Sequence, residues 1–252
     1  MNIKKLENMR ISGKILADFF DAVAPLVKEG TTTKELDDFA REFIISRGAK
    51  PSFLRYQGFP GSICTSIDDV IVHGIPKKNV ALKNGQVLGI DVGACYNGYH
   101  TDAARTFCVG NVAPEVQRLV QVTRECFFEA IKGLKNGSRV GDIGARVQQH
   151  AEKHGYGVVR ELVGHGVGQH LHEDPNIPNF GRVGLGPKLV TGQTIAIEPM
   201  INLGTKDVLF RGMWDCRTAD GKPSSHYENT VVILDDGVEI LTEKLESGHV
   251  KR

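Results

Sequence analysis

The sequence predicts an α+β domain made of two related halves, about residues 1–110 and 111–252, each running helix, helix, strands. Three observations carry this. Apolar residues recur at helical spacing twice near the start of each half. Asn97-Gly98 separates two strand-like runs, the strongest short hairpin signal. Finally, Leu82–Asp91 is echoed by Leu189–Glu198, with the Leu, Gly, Gln, Ile and acid matching at an offset of 107. His73-Gly74-Ile75 is echoed by His165-Gly166-Val167 at an offset of 92. Chance recurrence is the competing account, because Gly and Leu are common residues.

Residues 3–28 place Ile3, Leu6, Met9, Leu16, Phe19, Phe20, Val23 and Val27 on one helical side, with Gly30 as the stop. Thr32 and Glu35 read as a capping box. They open a helix with Leu36, Phe39, Phe43 and Ile44 inward, ending near Gly48. Residues 51–75 read as extended and loop-rich. Residues 87–95 and 99–109 then form the hairpin. Pro114 opens a third helix, closed by Asn136-Gly137, and 139–154 forms a fourth. Strand-like segments follow at 158–163, 193–201 and 227–234.

Composition excludes several classes of activity. Thirty-one Lys and Arg against 30 Asp and Glu leave a net charge of +1, which argues against charge-driven nucleic-acid or membrane binding. No apolar run approaches the ~18 residues that span a bilayer, and the first residues lack a signal peptide's apolar stretch. Five cysteines without a C-x-x-C pair point to free thiols in a reducing compartment, hence the cytoplasm.

The chemistry concentrates in a few acids. With a two-residue loop at Asn97-Gly98, Asp91 and Asp102 share one face of the hairpin as diagonal neighbours, ~7–8 Å apart at Cα. A one-residue slip would separate them. Asp91 lies in the apolar strand Val87–Val92, where an unpaired carboxylate is very costly, so it requires a cation or several donors. Arg105 is its structural alternative partner. Glu198 ends an apolar strand before Pro199, and Glu228 opens another. Taken singly, each acid reads as structural; four together are more economically explained by a shared cation.

His165 lies between Gly164 and Gly166, which leave its imidazole unobstructed. His170 and His172 follow on what reads as an extended segment, while His100, His150, His154 and His249 are assigned no role. No H-E-x-x-H, G-x-S-x-G, P-loop or G-x-G-x-x-G is present. Four carboxylates and one imidazole suit a pair of divalent ions such as Mn, Fe(II) or Co, with Zn also compatible.

These segments resemble the short, type I methionine aminopeptidases over essentially the whole chain. The resemblance rests on Val72–Pro76, Ile90-Asp91-Val92, Tyr99–Asp102, Gly164–Gly168 with His172-Glu173, Ile197–Met200 and Tyr227–Thr230. It implies a single catalytic domain of the pita-bread (creatinase/aminopeptidase) fold: an antiparallel sheet backed by two helix pairs with pseudo-twofold symmetry. It further implies removal of the initiator methionine from nascent chains when the second residue is small.

By the same resemblance, Asp91, Asp102, His165, Glu198 and Glu228 bind two divalent ions, with Asp102 and Glu228 shared between them. Glu198 is also the general base, and His73 and His172 hydrogen-bond the scissile amide. Tyr56, Phe59, Cys64, Leu171 and Trp214 form the methionine pocket. The implied setting is a cytoplasmic monomer near the ribosome exit, with no direct need for nucleic acid or membrane. Phe59, Leu171, Ala103, His226 and Asn229 stand where the family more often has Tyr, Phe, Thr, Gln and His. The long type II insertion and the Cys/His-rich N-terminal extension are absent from the sequence. An X-Pro aminopeptidase or prolidase of the same fold, and a non-catalytic binding protein on that scaffold, are the competing readings.

Overall fold

The computed structural model describes residues 2–244, so His249 and the extreme ends of the two expected halves lie outside it. Two helices open the chain, α1 (Ile3–Val23) and α2 (Thr33–Ser46). The apolar spacing that predicts a helix to residue 28 is cut short. Pro25 has no N–H to donate, and Ala24–Leu26 tighten into a 3-10 turn. The capping box at α2 forms as predicted: Thr32 Oγ1 accepts from the Glu35 N–H at 3.2 Å, and Glu35 accepts from the Thr32 N–H at 2.7 Å.

The stretch expected to be loop-rich contains three strands, β1 (Lys50–Pro51), β2 (Ile63–Ile67) and β3 (Val70–Val72). The hairpin strands are β4 (Val87–Tyr96) and β5 (Tyr99–Cys108), in the predicted register: Tyr96 faces Tyr99, Gly93 faces Asp102 and Asp91 faces Ala104. Asn97 and Gly98 both adopt left-handed φ, +49° and +82°, as a primed two-residue turn requires.

The second half carries α3 (Pro114–Ile131) and α4 (Val140–Lys153). α3 ends before the predicted Asn136-Gly137, because Gly133 turns the chain with φ +65°. Five strands follow: β6 (Gly157–Val158), β7 (Gly164–Gly166), β8 (Glu173–Ile177), β9 (Thr194–Ile197) and β10 (Met200–Asn202). The expected strand at 158–163 is thus mostly loop. The run at 193–201 is split at Glu198-Pro199, since proline cannot donate to a ladder. The chain closes with β11 (Val208–Arg211), β12 (Asp215–Thr218), β13 (Ser224–His226), β14 (Glu228–Ile233) and β15 (Val238–Ile240).

The main sheet has nine strands in the order β1-β4-β5-β14-β9-β7-β8, with β2 also on β4 and β15 on β14. One face packs on the helices. Leu16, Phe19 and Ile44 of the first pair meet Leu88 and Ile90. Leu119, Phe127 and Val147 of the second pair meet Ile195, Ile197 and Val231. The sheet is therefore backed by one helix pair per half. The internal echo is structural. Gly85 and Gly192 have φ +91° and +85°, and each donates its N–H at 2.8 Å, to Val109 and Ile233 respectively. Gln86 and Gln193 each accept, through Oε1, from the residue three positions before, Lys83 and Val190.

Candidate metal centre

Alternation along the strands decides what reaches the other face. Ile90 and Val92 point to the helices, so Asp91 points away from them. Asp102 lies on the same face, and Glu228 sits opposite Ala104 on the neighbouring strand. Glu198 follows β9, and His165 comes from β7.

The five residues expected to bind metal converge. His165 Nε2 is 3.9 Å from Asp102 Oδ2 and 3.7 Å from Glu198 Oε1. One ligand atom each from Asp102, His165 and Glu228 lies within 4.8 Å of the others, and the same holds for Asp91, His226 and Glu228. Among the described residues, no Lys or Arg pairs with any of the four carboxylates.

Arg105, the alternative partner of Asp91, is elsewhere. It sits opposite Ile90 on the helix face, donates to Asn229 Oδ1 at 2.7 Å and to the Glu228 carbonyl, and stacks 4.2 Å from the Tyr227 ring. Asp91 Oδ1 and Glu228 Oε1 are buried without a hydrogen-bond partner. Orphaned carboxylate oxygens beside a buried imidazole are a donor set that fits divalent cations.

The electrostatics match. Burial, then the negative charges of Asp102 and Glu198, hold Asp91 well above the usual carboxylate range. Burial and then Asp102 do the same to Glu198, and burial followed by Asp102, Glu198 and Asp91 to Glu228. Asp102 is raised to about 7 by burial. Burial, followed by the neighbouring His172, lowers His165 and His73 to about 4, so both imidazoles are neutral at pH 7.

Glycine neighbours set the histidines. A Cβ on Gly74 would meet Thr65 O at 2.1 Å, and Cβ atoms on Gly164 and Gly166 would meet Ala196 O and Asp174 O at 2.4 and 2.3 Å. His73 itself holds φ +61°, an uncommon conformation for a residue with a side chain. His172 lies in the bend between β7 and β8 rather than on an extended segment. Its Nδ1 pairs with Tyr56 OH at 2.7 Å, and its ring centre is 4.2 Å from that of His165.

A cavity of about 720 Å³ opens beside the acids. Phe59, Cys64 and Leu171 are buried at its apolar end, with Tyr56 and Trp214 packed against them, so all five expected pocket residues come together. The Phe59 and Trp214 rings meet edge-on at 5.2 Å. Cys64 is paired with Asp91 across β2 and β4, placing the apolar end directly beside the carboxylates. Burial, then Asp91, pushes the Cys64 thiol up, so it stays uncharged.

Phe53 and Ile75 join this cluster and were not singled out from sequence. Neither was His226 assigned to the site; its alternation with Glu228 was the available signal. Asn229, by contrast, accepts from Arg105 and Thr242 on the helix side, away from the cavity.

Three comparisons with known proteins are consistent with this geometry. A family model described as metallopeptidase family M24 matches residues 7–235. A protein from Clostridium acetobutylicum named methionine aminopeptidase is 48% identical over 242 residues, covering 96% of this chain and 97% of its own length. The crystal structure of methionine aminopeptidase from Rickettsia prowazekii superposes with a TM-score of 0.93 at 41% identity, covering 96% of this chain and 98% of its own. A prolidase structure from Pyrococcus furiosus shares the fold, with TM-score 0.77 and 24% identity, covering 97% of this chain and 65% of its own.

Proposed function

The chain belongs to metallopeptidase family M24, and on that premise we propose that it removes N-terminal methionine from polypeptides whose second residue is small. One observation carries the reading: buried, unpaired acids adjoin an apolar pocket containing an uncharged thiol. Such a pocket suits a thioether side chain. The substrate's free N-terminal amine would sit beside the ions these acids hold, which favours an exopeptidase.

Asp91, Asp102, His165, Glu198 and Glu228 would hold two divalent ions from among Co, Mn, Fe and Zn, with Asp102 and Glu228 shared. When bound, the ions supply Lewis-acid polarisation of the scissile carbonyl and acidify water. Glu198 takes a proton from the attacking water and returns it to the departing amine. His73 and His172, neutral at pH 7, donate hydrogen bonds to the scissile amide and to the tetrahedral oxygen. Tyr56 orients the His172 ring through its hydroxyl.

We further read residues 1–252 as a single catalytic domain with halves near 1–110 and 111–252, because the central pairing of β5 with β14 joins both. A cytoplasmic monomer working near the ribosome exit suits that role. No helix among the described residues is long and apolar enough to cross a membrane. Nothing in the proposed chemistry calls for nucleic acid.

The test is release of methionine from a Met-Ala-Ser peptide by chelator-treated protein restored with each ion, beside an Ala-Pro-Ser peptide. Cleavage of the first alone supports the proposal. Preference for the second would make the chain an X-Pro peptidase, because alanine leaves the apolar pocket unfilled.

A further inference from the structure

His226 is 3% exposed, and its Nε2 has no hydrogen-bond partner. The side chain is held in place by its backbone. Its N–H donates to Thr106 Oγ1 at 3.0 Å, its carbonyl accepts from that hydroxyl at 2.9 Å, and β13 pairs it with Met200. The imidazole enters the carboxylate cluster from β13, a strand that supplies none of the five expected ligands. Nε2 lies 3.5 Å from Glu198 Oε2 and 3.8 Å from Glu228 Oε2, too far for a good hydrogen bond to either. Ligand atoms bound ~2.1 Å from one cation lie at most ~4.2 Å apart. Asp91, His226 and Glu228 offer atoms within 4.8 Å of one another, so small side-chain adjustments close them on one ion.

We propose that His226 is a sixth protein ligand of the metal centre, its Nε2 binding the ion shared by Asp91 and Glu228. This rests on the metallopeptidase reading and deepens it. The centre then carries two imidazoles, His165 and His226, at 3.7 and 3.5 Å respectively from a Glu198 oxygen. Imidazole favours Co and Zn over Mn, which prefers oxygen donors. The inference therefore concerns which ion this chain selects.

The experiment is calorimetric titration of the chelator-treated full chain with Zn, Co or Mn, comparing wild type, H226Q, H226A and D102N. Nitrogen-15 spectra of the wild type before and after Zn addition provide a readout independent of any variant's folding. The proposal predicts that H226Q and H226A weaken Zn and Co binding about 10-fold or more, while Mn binding changes less than about 3-fold. It also predicts that the His226 Nε2 resonance moves to a metal-bound position. Equal weakening for all three ions, or no weakening, overturns it, as does a His226 Nε2 that remains free or protonated in the Zn-loaded protein. A wild type that binds no ion, or a D102N variant that binds as the wild type does, overturns the metallopeptidase reading instead.

Discussion

His165 Nε2 and Asp102 Oδ2 stand 3.9 Å apart, although β14 and β9 separate their strands in the sheet. Three strand steps of about 4.8 Å would put β5 and β7 about 14 Å apart in a flat sheet. The sheet curls toward the site: Cα atoms of β5 and β9 approach within 8 Å across β14, where a flat sheet gives about 9.6 Å. Curvature therefore brings acids from one half to the imidazole of the other.

Removing one of the shared acids should leave the remaining donors unable to hold the ions. D102N and E228Q are each expected to lower kcat/KM on a Met-Ala-Ser peptide by more than about 100-fold, with circular dichroism unchanged. Full activity in either variant contradicts the assigned roles.

Metal removal should expose opposing pH dependences. The raised carboxylates bind more protons in the folded than in the unfolded chain. Their favourable contribution exists below the ordinary value near 4 and is lost as pH rises, through about 7 for Asp102. His73 and His165, lowered to about 4, act oppositely: their contribution exists above 6.5 and is lost as pH falls through 4. Above 6.5 the histidine contribution is complete, whereas Asp102, at about 7, still titrates. The Tm of chelator-treated protein should therefore fall between about pH 6.5 and 8, and divalent ions should flatten that slope while releasing protons. A Tm that rises over this interval without metal would show the acids are paired by something else.

Phe59 forms one wall of the apolar pocket against Trp214. F59A should raise KM for Met-Ala-Ser about 10- to 100-fold and reduce the preference for Met over Leu at the first position. Steady-state kinetics on both peptides decide this. Unchanged preference would remove Phe59 from the pocket.

Arg105 lies behind the acids and donates to the carbonyls of Ala104, Glu228 and Thr242 and to Asn229 Oδ1. R105A orphans buried acceptors and removes the packing between Phe20 and Tyr227. It should cost about 2–4 kcal/mol in urea unfolding. A loss under about 0.5 kcal/mol would mean that water satisfies those acceptors.

Legibility in the sequence followed how local each determinant is. The hairpin register was readable because Asn97-Gly98 admits one turn type, and with it came the shared face of Asp91 and Asp102. The Thr32 box was equally local. Boundaries failed where a single residue overrides periodicity, as Pro25 does in α1 and Pro199 does between β9 and β10. Short strands such as β8, β11 and β13 carry too few residues for a period of two to register. For His226 the local signal is only its alternation with Glu228; what fixes it in the cluster, β13 pairing with β10 and the bonds to Thr106, is tertiary.

The central claim is that acids of both halves meet because they hold divalent ions. Anomalous diffraction from crystals of chelator-treated protein soaked in Mn tests it directly. The account predicts one or two peaks enclosed by Asp91, Asp102, His165, Glu198 and Glu228. Crystals that take up Mn elsewhere and show no peak among these residues would contradict it.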